Sequence, residues 1–465
     1  YAISHSMRPL TNCKTLVVDM THGGKVICEE LIKRDCEVYA FDNHRTLKKD
    51  EVEKLISIGV KVFSEEKELN VEDFDVIVVQ HADPEMRIFK TALELGIPVI
   101  SHARTVGIIL SELKGSVRII EITGTNGKTT TANMLSKILS DSGKTVLIHD
   151  SLSTRIVNSS GEKSLAKGLS ITPANALRAY RIAQEFDFDS AIFEISLGGT
   201  GAGDIGILTG IYENYRASFF RNAFNSKLQM AINMKNGILV LNGDNLTRKF
   251  SHAFFGPSNI YGIERGQEVR VEKLGDKVEG VIDGLSTISG KKITSSFEFR
   301  LQDSLFGRFH ILNALAALTA AASLELEIDE VCKSLMGFKG VKGRAIVERA
   351  ERGILVDCSN RGINAPAILT AVEQALSQRG KYFDALVVVL SGSEKATCEI
   401  IDTNRLSNEL KSRKIDLILL CGALGKKLIE LGVNGLFFEK LSKNEVEKLS
   451  ARFNNPIILF FSNEA

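Results

Sequence analysis

Six consecutive residues, Gly124-Thr125-Asn126-Gly127-Lys128-Thr129, constrain this chain more than any other segment. An apolar run, Val117-Arg118-Ile119-Ile120-Glu121-Ile122, leads into them, and a stretch with apolar positions at Met134, Leu135, Ile138 and Leu139 follows. A strand that turns on glycines and opens directly into a helix aims several backbone N–H groups at one point, where the helix N-terminus adds positive potential. Glycines let the backbone wrap around phosphate oxygens unobstructed. In that geometry Lys128 neutralises the outer phosphates and the Thr129 hydroxyl is placed to bind Mg²⁺, while Gly124, Thr125, Asn126, Gly127 and Thr130 line the cradle. The spacing G-x-x-G-K-T is shorter than the commoner G-x-x-x-x-G-K-[ST]. The segment predicts a nucleoside triphosphate site with ATP and Mg²⁺ as its ligands; the competing reading is an incidental glycine-rich turn.

Around that loop the pattern is α/β. Short apolar runs at 14–19, 37–41, 60–63, 74–79 and 97–101, separated by helical stretches, predict a small parallel α/β domain. Its first turn, Thr21-His22-Gly23-Gly24, lacks G-x-G-x-x-G. That turn either presents amides to an anion or is a tight turn needing glycine. A second α/β unit continues through strands at 191–195, 205–211 and 237–241. Residues 258–301 alternate and predict antiparallel strands, and 312–326 reads as a buried helix. A third α/β unit has strands at 353–357, 385–390, 416–421 and 456–461. At 465 residues, against about 150 per domain, three domains are expected. They are 7–115 for substrate binding, 116–343 for ATP, and 344–465 to close over the nucleotide. The chain opens on Tyr1, and the stretch before Met7 is assigned no part in the fold.

The balance of 58 basic and 57 acidic residues calls for neither nucleic acid nor a membrane surface. No apolar run approaches the roughly 18 residues of a membrane span. The seven cysteines are scattered with no CxxC pair, which points to reduced thiols in a cytoplasm rather than to disulfides or a thiolate metal site.

Beyond the loop, an ordered set of motifs resembles the Mur ligase family, which includes the folylpolyglutamate synthetases. Gly-Thr-Asn-Gly-Lys-Thr-Thr resembles its ATP loop, Ser170-Ile171-Thr172-Pro173 its Thr-Thr-Pro element, and Phe193-Glu194-Ile195-Ser196 its Glu-x-Ser strand end. Lys227 stands fifteen residues before Asn242 of Asn242-Gly243-Asp244, the family spacing from a carbamylated lysine to an Asn-x-Asp turn. Gly307-x-x-His310-x-x-Asn313-Ala314, Gly343-Arg344 and Val356-Asp357 resemble later elements. The resemblance implies a three-domain architecture and ATP-dependent phosphorylation of a carboxylate, followed by nucleophilic attack on the acyl phosphate. It also implies roles: Glu194 on Mg²⁺, Lys227 on a second Mg²⁺, Asn313 against adenine, Arg344 on the phosphates and Asp357 opening the C-terminal nucleotide motif. Two departures stand out. The family's metal-binding His falls on Glu213, fourteen residues before Lys227, and Asp357-Cys358-Ser359-Asn360-Arg361 replaces Asp-Tyr-Ala-His-x-Pro.

Within that family, 170–175, 196–201 and 206–215 are similar to the Mur-ligase-like coenzyme F-430 synthetases of methanogenic archaea, as is the Asp19–Gly24 opening. That similarity implies a small-molecule substrate, the nickel tetrapyrrole seco-F-430. A propionate is activated with ATP and a ring carbon closes a six-membered carbocycle. Two alternatives stay open: an amide-forming ligase, for instance one building pseudomurein peptides, and a P-loop switch protein that hydrolyses ATP to change shape. Several residues carry two readings as well. Glu194, at the end of an apolar strand, is either metal-bound or in a structural ion pair, because a carboxylate buried alone is costly. Lys227 is either carbamylated or a surface helix lysine, and His310 either structural or a nucleotide contact. His22, Asp42, His44 and His81 sit near strand ends, where open α/β sheets bind ligands and where loops are polar in any case. Cys358 reads as packing. Assembly is expected to be a monomer or homodimer.

Overall fold

The computed structural model describes residues 10–212, 214, 219–394 and 401–464. The chain divides into two compact units. One runs through Val271 and includes Gly280–Ser296 and Ala316–Val331; the other comprises Glu272–Glu279, Phe297–Leu315 and the chain from Cys332 onward.

The first unit holds two sheets. Its N-terminal sheet has five strands, β1 (Lys14–Val18), β2 (Glu37–Phe41), β3 (Lys61–Phe63), β4 (Val76–Val79) and β5 (Val99–Ser101), in the order β3-β2-β1-β4-β5. Every neighbouring pair is parallel. Runs such as Val76–Val79 are buried along their whole length, as expected of strands covered by helices on both faces. The order reverses between β1 and β4, so the chain leaves opposite sides of that seam. The following helix, His102–Leu113, packs closely on the central part of the unit: a Cβ at Gly107 would stand 2.0 Å from the Thr200 carbonyl oxygen.

The second sheet is built on β6 (Arg118–Thr123), β7 (Val146–His149), β8 (Thr154–Asn158), β9 (Gly161–Ala166), β10 (Ser190–Glu194), β11 (Ile205–Leu208), β12 (Ile238–Asn242) and β13 (Ser258–Gly262). These run in the order β13-β12-β11-β6-β10-β7-β8-β9. The strand that feeds the phosphate loop lies between β10 and β11 and is parallel to both. Three loops at the C-terminal ends of β6, β10 and β11 are therefore side by side.

Two features differ from the sequence reading. A strand at 146–149, not anticipated from the sequence, pairs parallel with β10 and carries the β8–β9 hairpin. Ser258–Gly262, expected to be antiparallel, instead pairs parallel with β12 and with β14 (Val269–Leu274). Alternation reports one exposed face, not strand direction. Two further strands, β15 (Val278–Ser286) and β16 (Lys292–Phe299), complete the 258–301 segment.

In the second unit, β17 (Ile346–Arg349) lies antiparallel on β18 (Ile354–Asp357). The sheet continues in parallel through β22 (Pro456–Ser462), β19 (Ala385–Ser391), β20 (Leu417–Cys421) and β21 (Leu436–Phe438). Its core is aliphatic, with Val356, Leu386, Val388, Leu420 and Leu459 at its centre. Among the described residues, no helix is long and apolar enough to cross a membrane.

Candidate active site

The phosphate loop leaves β6 at Gly124, whose φ of +146° suits glycine and where a Cβ would come within 2.1 Å of the Thr209 hydroxyl. The loop is pinned to the neighbouring β11 turn. Thr125 donates its N–H to the Gly210 carbonyl at 2.8 Å, and the Thr209 hydroxyl donates to the Asn126 carbonyl at 2.5 Å. Gly127 then starts the helix Lys128–Asp141, and no side chain caps its N-terminus. The first-turn N–H groups are thus presented where the loop closes, the arrangement that binds anions at helix starts.

Behind that turn stands Glu194, the last residue of β10 and 2% exposed. One carboxylate oxygen accepts from the Thr129 hydroxyl at 2.9 Å and from the Ser151 N–H at 3.0 Å; the Lys128 ammonium is 3.9 Å from the other. The Ser151 hydroxyl lies 3.1 Å from that of Thr129. This set of hydroxyl and carboxylate oxygens beside an N–H cradle fits Mg²⁺ on a phosphate chain, since Mg²⁺ takes one or two protein oxygens and fills its octahedron with phosphate and water. Thr130, the next residue of the helix, is buried.

Ser151 had no sequence signal beyond its place after a short apolar run. It is held by Asp150, a fully buried carboxylate that accepts from the N–H groups of Leu152 and Ser153, from the Asn133 amide, and from both guanidinium NH₂ groups of Arg155.

Lys227 is a buried helix residue, 1% exposed on Ala223–Asn233, not a surface one. Its ammonium donates to the Ser196 carbonyl at 2.8 Å, two residues beyond Glu194. The glycines of Ser196-Leu-Gly-Gly-Thr-Gly201 let this helix approach: a Cβ on Gly199 would lie 2.6 Å from the Met230 Cβ. Glu121, in the middle of β6, braces the same loop by accepting from the Thr200 hydroxyl and from the N–H groups of Thr200 and Gly201. Burial raises its carboxyl above the ordinary range despite those donors. Glu213 lies outside the described residues.

A separate polar cluster occupies the C-terminal edge of the N-terminal sheet. Asp19 is fully buried and accepts from the N–H groups of Thr21, His22 and His81 and from the His22 ring. The His22 and His81 rings are 4.1 Å apart between centroids. Burial depresses His81 and His102 to about 4, so both rings are neutral near pH 7. Asp42 turns inward, accepting from the Leu47 N–H and the Thr46 hydroxyl.

The remaining candidates belong to the second unit. Asp357, buried at the end of β18, pairs with Lys443 at 3.1 Å and accepts from the Ser359 N–H. Arg344 follows Gly343 in the turn before β17, and Asn313 is buried on the helix Phe309–Ser323. His310 is buried with one ring nitrogen 3.4 Å from the Ala345 carbonyl, and burial lowers it to about 4. Burial raises the Cys358 thiol, the opposite of what a thiolate nucleophile needs.

Comparison with known proteins is consistent in both units. Residues 122–321 match the Mur ligase middle domain, and residues 347–463 match the coenzyme F430 synthetase CfbE C-terminal domain. The coenzyme F(430) synthetase of Methanosarcina acetivorans is 29% identical over 419 residues, covering 83% of this chain and 84% of that one. Its namesake in Methanocaldococcus jannaschii is 25% identical over 443 residues, covering 93% and 96%. In fold, the pseudomurein peptide ligase type C of Methanothermus fervidus superposes with a TM-score of 0.55 over 97% of both chains at 20% identity. The middle-domain match covers the phosphate loop, Glu194 and Lys227, and the similarity to the two synthetases runs along most of both chains, so in sequence and in fold this chain is similar to the Mur ligases.

Proposed function

We propose that this protein is an ATP-dependent cyclo-ligase that activates a propionate of the nickel tetrapyrrole seco-F-430 and closes a carbocyclic ring on it, giving coenzyme F-430. One observation carries the chemistry: a buried carboxylate, Glu194, bonded to the Thr129 hydroxyl beneath an uncapped helix N-terminus that also holds Lys128. Similarity to two relatives named coenzyme F(430) synthetase, along most of both chains, supports the substrate.

Bound ATP and Mg²⁺ would supply the γ-phosphoryl group and the charge that shields it. The protein's part is positioning and electrostatics. The N–H groups of residues 127–129 hold the phosphates, Lys128 offsets their charge, and Thr129 and Glu194 hold the metal. Lys227, carbamylated, and Glu213 would hold a second Mg²⁺ toward the substrate carboxylate, while Arg344, Asn313 and Asp357 serve the nucleotide from the C-terminal side. We divide the chain accordingly into a substrate domain (7–115), an ATP domain (116–343) and a closing domain (344–465). A carboxylate oxygen takes the phosphoryl group as the β–γ bond breaks. A ring carbon, losing its proton, then forms the C–C bond as phosphate leaves. Excluding water protects the acyl phosphate meanwhile.

The test is incubation with ATP, Mg²⁺ and seco-F-430, followed by absorbance and mass. Loss of one water with one ADP released per product is expected. ADP release that instead requires an added amino acid would move the protein to the amide-forming ligases.

A further inference from the structure

In open parallel sheets, ligands bind beyond the strand C-termini where the strand order reverses. In the N-terminal sheet that place lies between β1 and β4. Asp19 and His22 follow β1, His44 follows β2 and His81 follows β4, so three histidines and a carboxylate share this edge. A ligand atom from each of Asp19, His22 and His44 falls within 4.8 Å of the others. The His22 and His44 rings stand edge to face, 6.2 Å apart.

Asp19 has a different part from the histidines. Both its oxygens face the His22 Nδ1, at 3.0 and 2.9 Å, and three backbone N–H groups fill its remaining sites. An imidazole donating Nδ1–H to a carboxylate carries its lone pair on Nε2. This is how proteins set the tautomer and orientation of metal-binding histidines. Imidazole donors suit nickel, copper and zinc rather than Mg²⁺, which the oxygen cluster around Glu194 suits.

We propose that His22, oriented by Asp19 and flanked by His44 and His81, is an imidazole ligand for a nickel(II) centre with an open coordination position. Resting on the substrate proposed above, it grips the tetrapyrrole by an axial site of its nickel. The substrate is then held by its metal at the N-terminal sheet, leaving its propionate unencumbered.

The test titrates wild-type protein, His22→Ala and His44→Ala with seco-F-430 and separately with NiCl₂, without ATP, by absorption and calorimetry. ADP binding serves as the folding control. With wild type the visible band of the tetrapyrrole is expected to shift. In His22→Ala the shift is lost and the dissociation constant rises roughly 10–100-fold. His22-dependent binding of NiCl₂ with none of the tetrapyrrole supports the imidazole site while removing the substrate. An unshifted band with equal affinity in all three proteins overturns the ligation and leaves the substrate standing. Should His22→Ala fail to fold, nickel X-ray absorption of the wild-type complex decides: added imidazole nitrogen is expected, and four-coordinate planar nickel overturns the proposal. Binding of neither nickel species also overturns it, and the mass experiment above reports whether the substrate falls too.

Discussion

Glu194 concentrates the chemistry of the first unit in one side chain. It is almost wholly buried, yet its oxygens are met by a hydroxyl, an N–H and an ammonium. Glu194→Gln keeps the shape and removes the charge. Turnover is expected to fall roughly 10²–10³-fold, the scale of losing one electrostatic contact to a transition state. ADP-release kinetics check this, and a near-normal rate would remove Glu194 from the mechanism. Glu121 makes the opposite case. Burial raises its folded-state pKa, so the folded protein binds a proton that the unfolded chain releases. Its penalty is therefore full above the folded pKa and fades as pH falls toward the ordinary value of 4.5. Glu121→Gln can donate to Thr200 and still accept the loop N–H groups. The variant is expected to be more stable than wild type at pH 8, with the advantage shrinking toward pH 5. Urea titrations at the two pH values measure the difference. A gap that widens on acidification would contradict the assignment.

At the scale of elements, the site is a meeting of loops held by small residues and buried pairs. The helix Ala223–Asn233 approaches the 196–201 loop because Gly199 has no side chain. Gly199→Ala should push that helix away, cost about 1–3 kcal/mol through overpacking, and lower turnover by moving Lys227 off the Ser196 carbonyl. Denaturant titration and ADP release follow the two effects. The hairpin β8–β9 has a similar structural part. Its Arg155 closes on Asp150, and that pair sets the turn from which Ser151 reaches Glu194. Arg155→Ala leaves a buried carboxylate without its cation, which costs about 3–5 kcal/mol. Wild-type stability in this variant would mean that the pair is not load-sharing. Most strands were legible as short apolar runs. The strand at 146–149 was not, and its consequence, Ser151 beside Thr129, was hidden with it, because that meeting depends on β7 lying beside β10.

For the whole molecule, nucleotide binding and stability are linked. ADP at about 100 times its dissociation constant stabilises by about 2.7 kcal/mol, a rise of about 3 °C in melting temperature for a chain of 465 residues. Lys128→Ala should abolish that rise and, because it leaves the buried Glu194 carboxylate without its cation, also lower the ligand-free melting temperature, as a thermal scan with and without ADP will register. A retained rise would detach Lys128 from nucleotide binding.

By itself the sequence determined what is local: a glycine turn between strand and helix, the α/β alternation, and a motif order shared with the Mur ligases. The first two depend on residues within a few positions of one another, so spacing carries them; the motif order is read by resemblance to the family. Tertiary structure decided which distant groups meet. Thr129 and Ser151 share Glu194, Lys227 is buried on Ser196, and Asp19 gathers His22 and His81. Each meeting depends on strand order. β10 lies between β6 and β7, and β1 lies beside β4 although two strands intervene in the chain. The phosphate loop could thus be read at once, whereas its neighbours, and the histidines of the other sheet, became a set only when the strands were laid side by side.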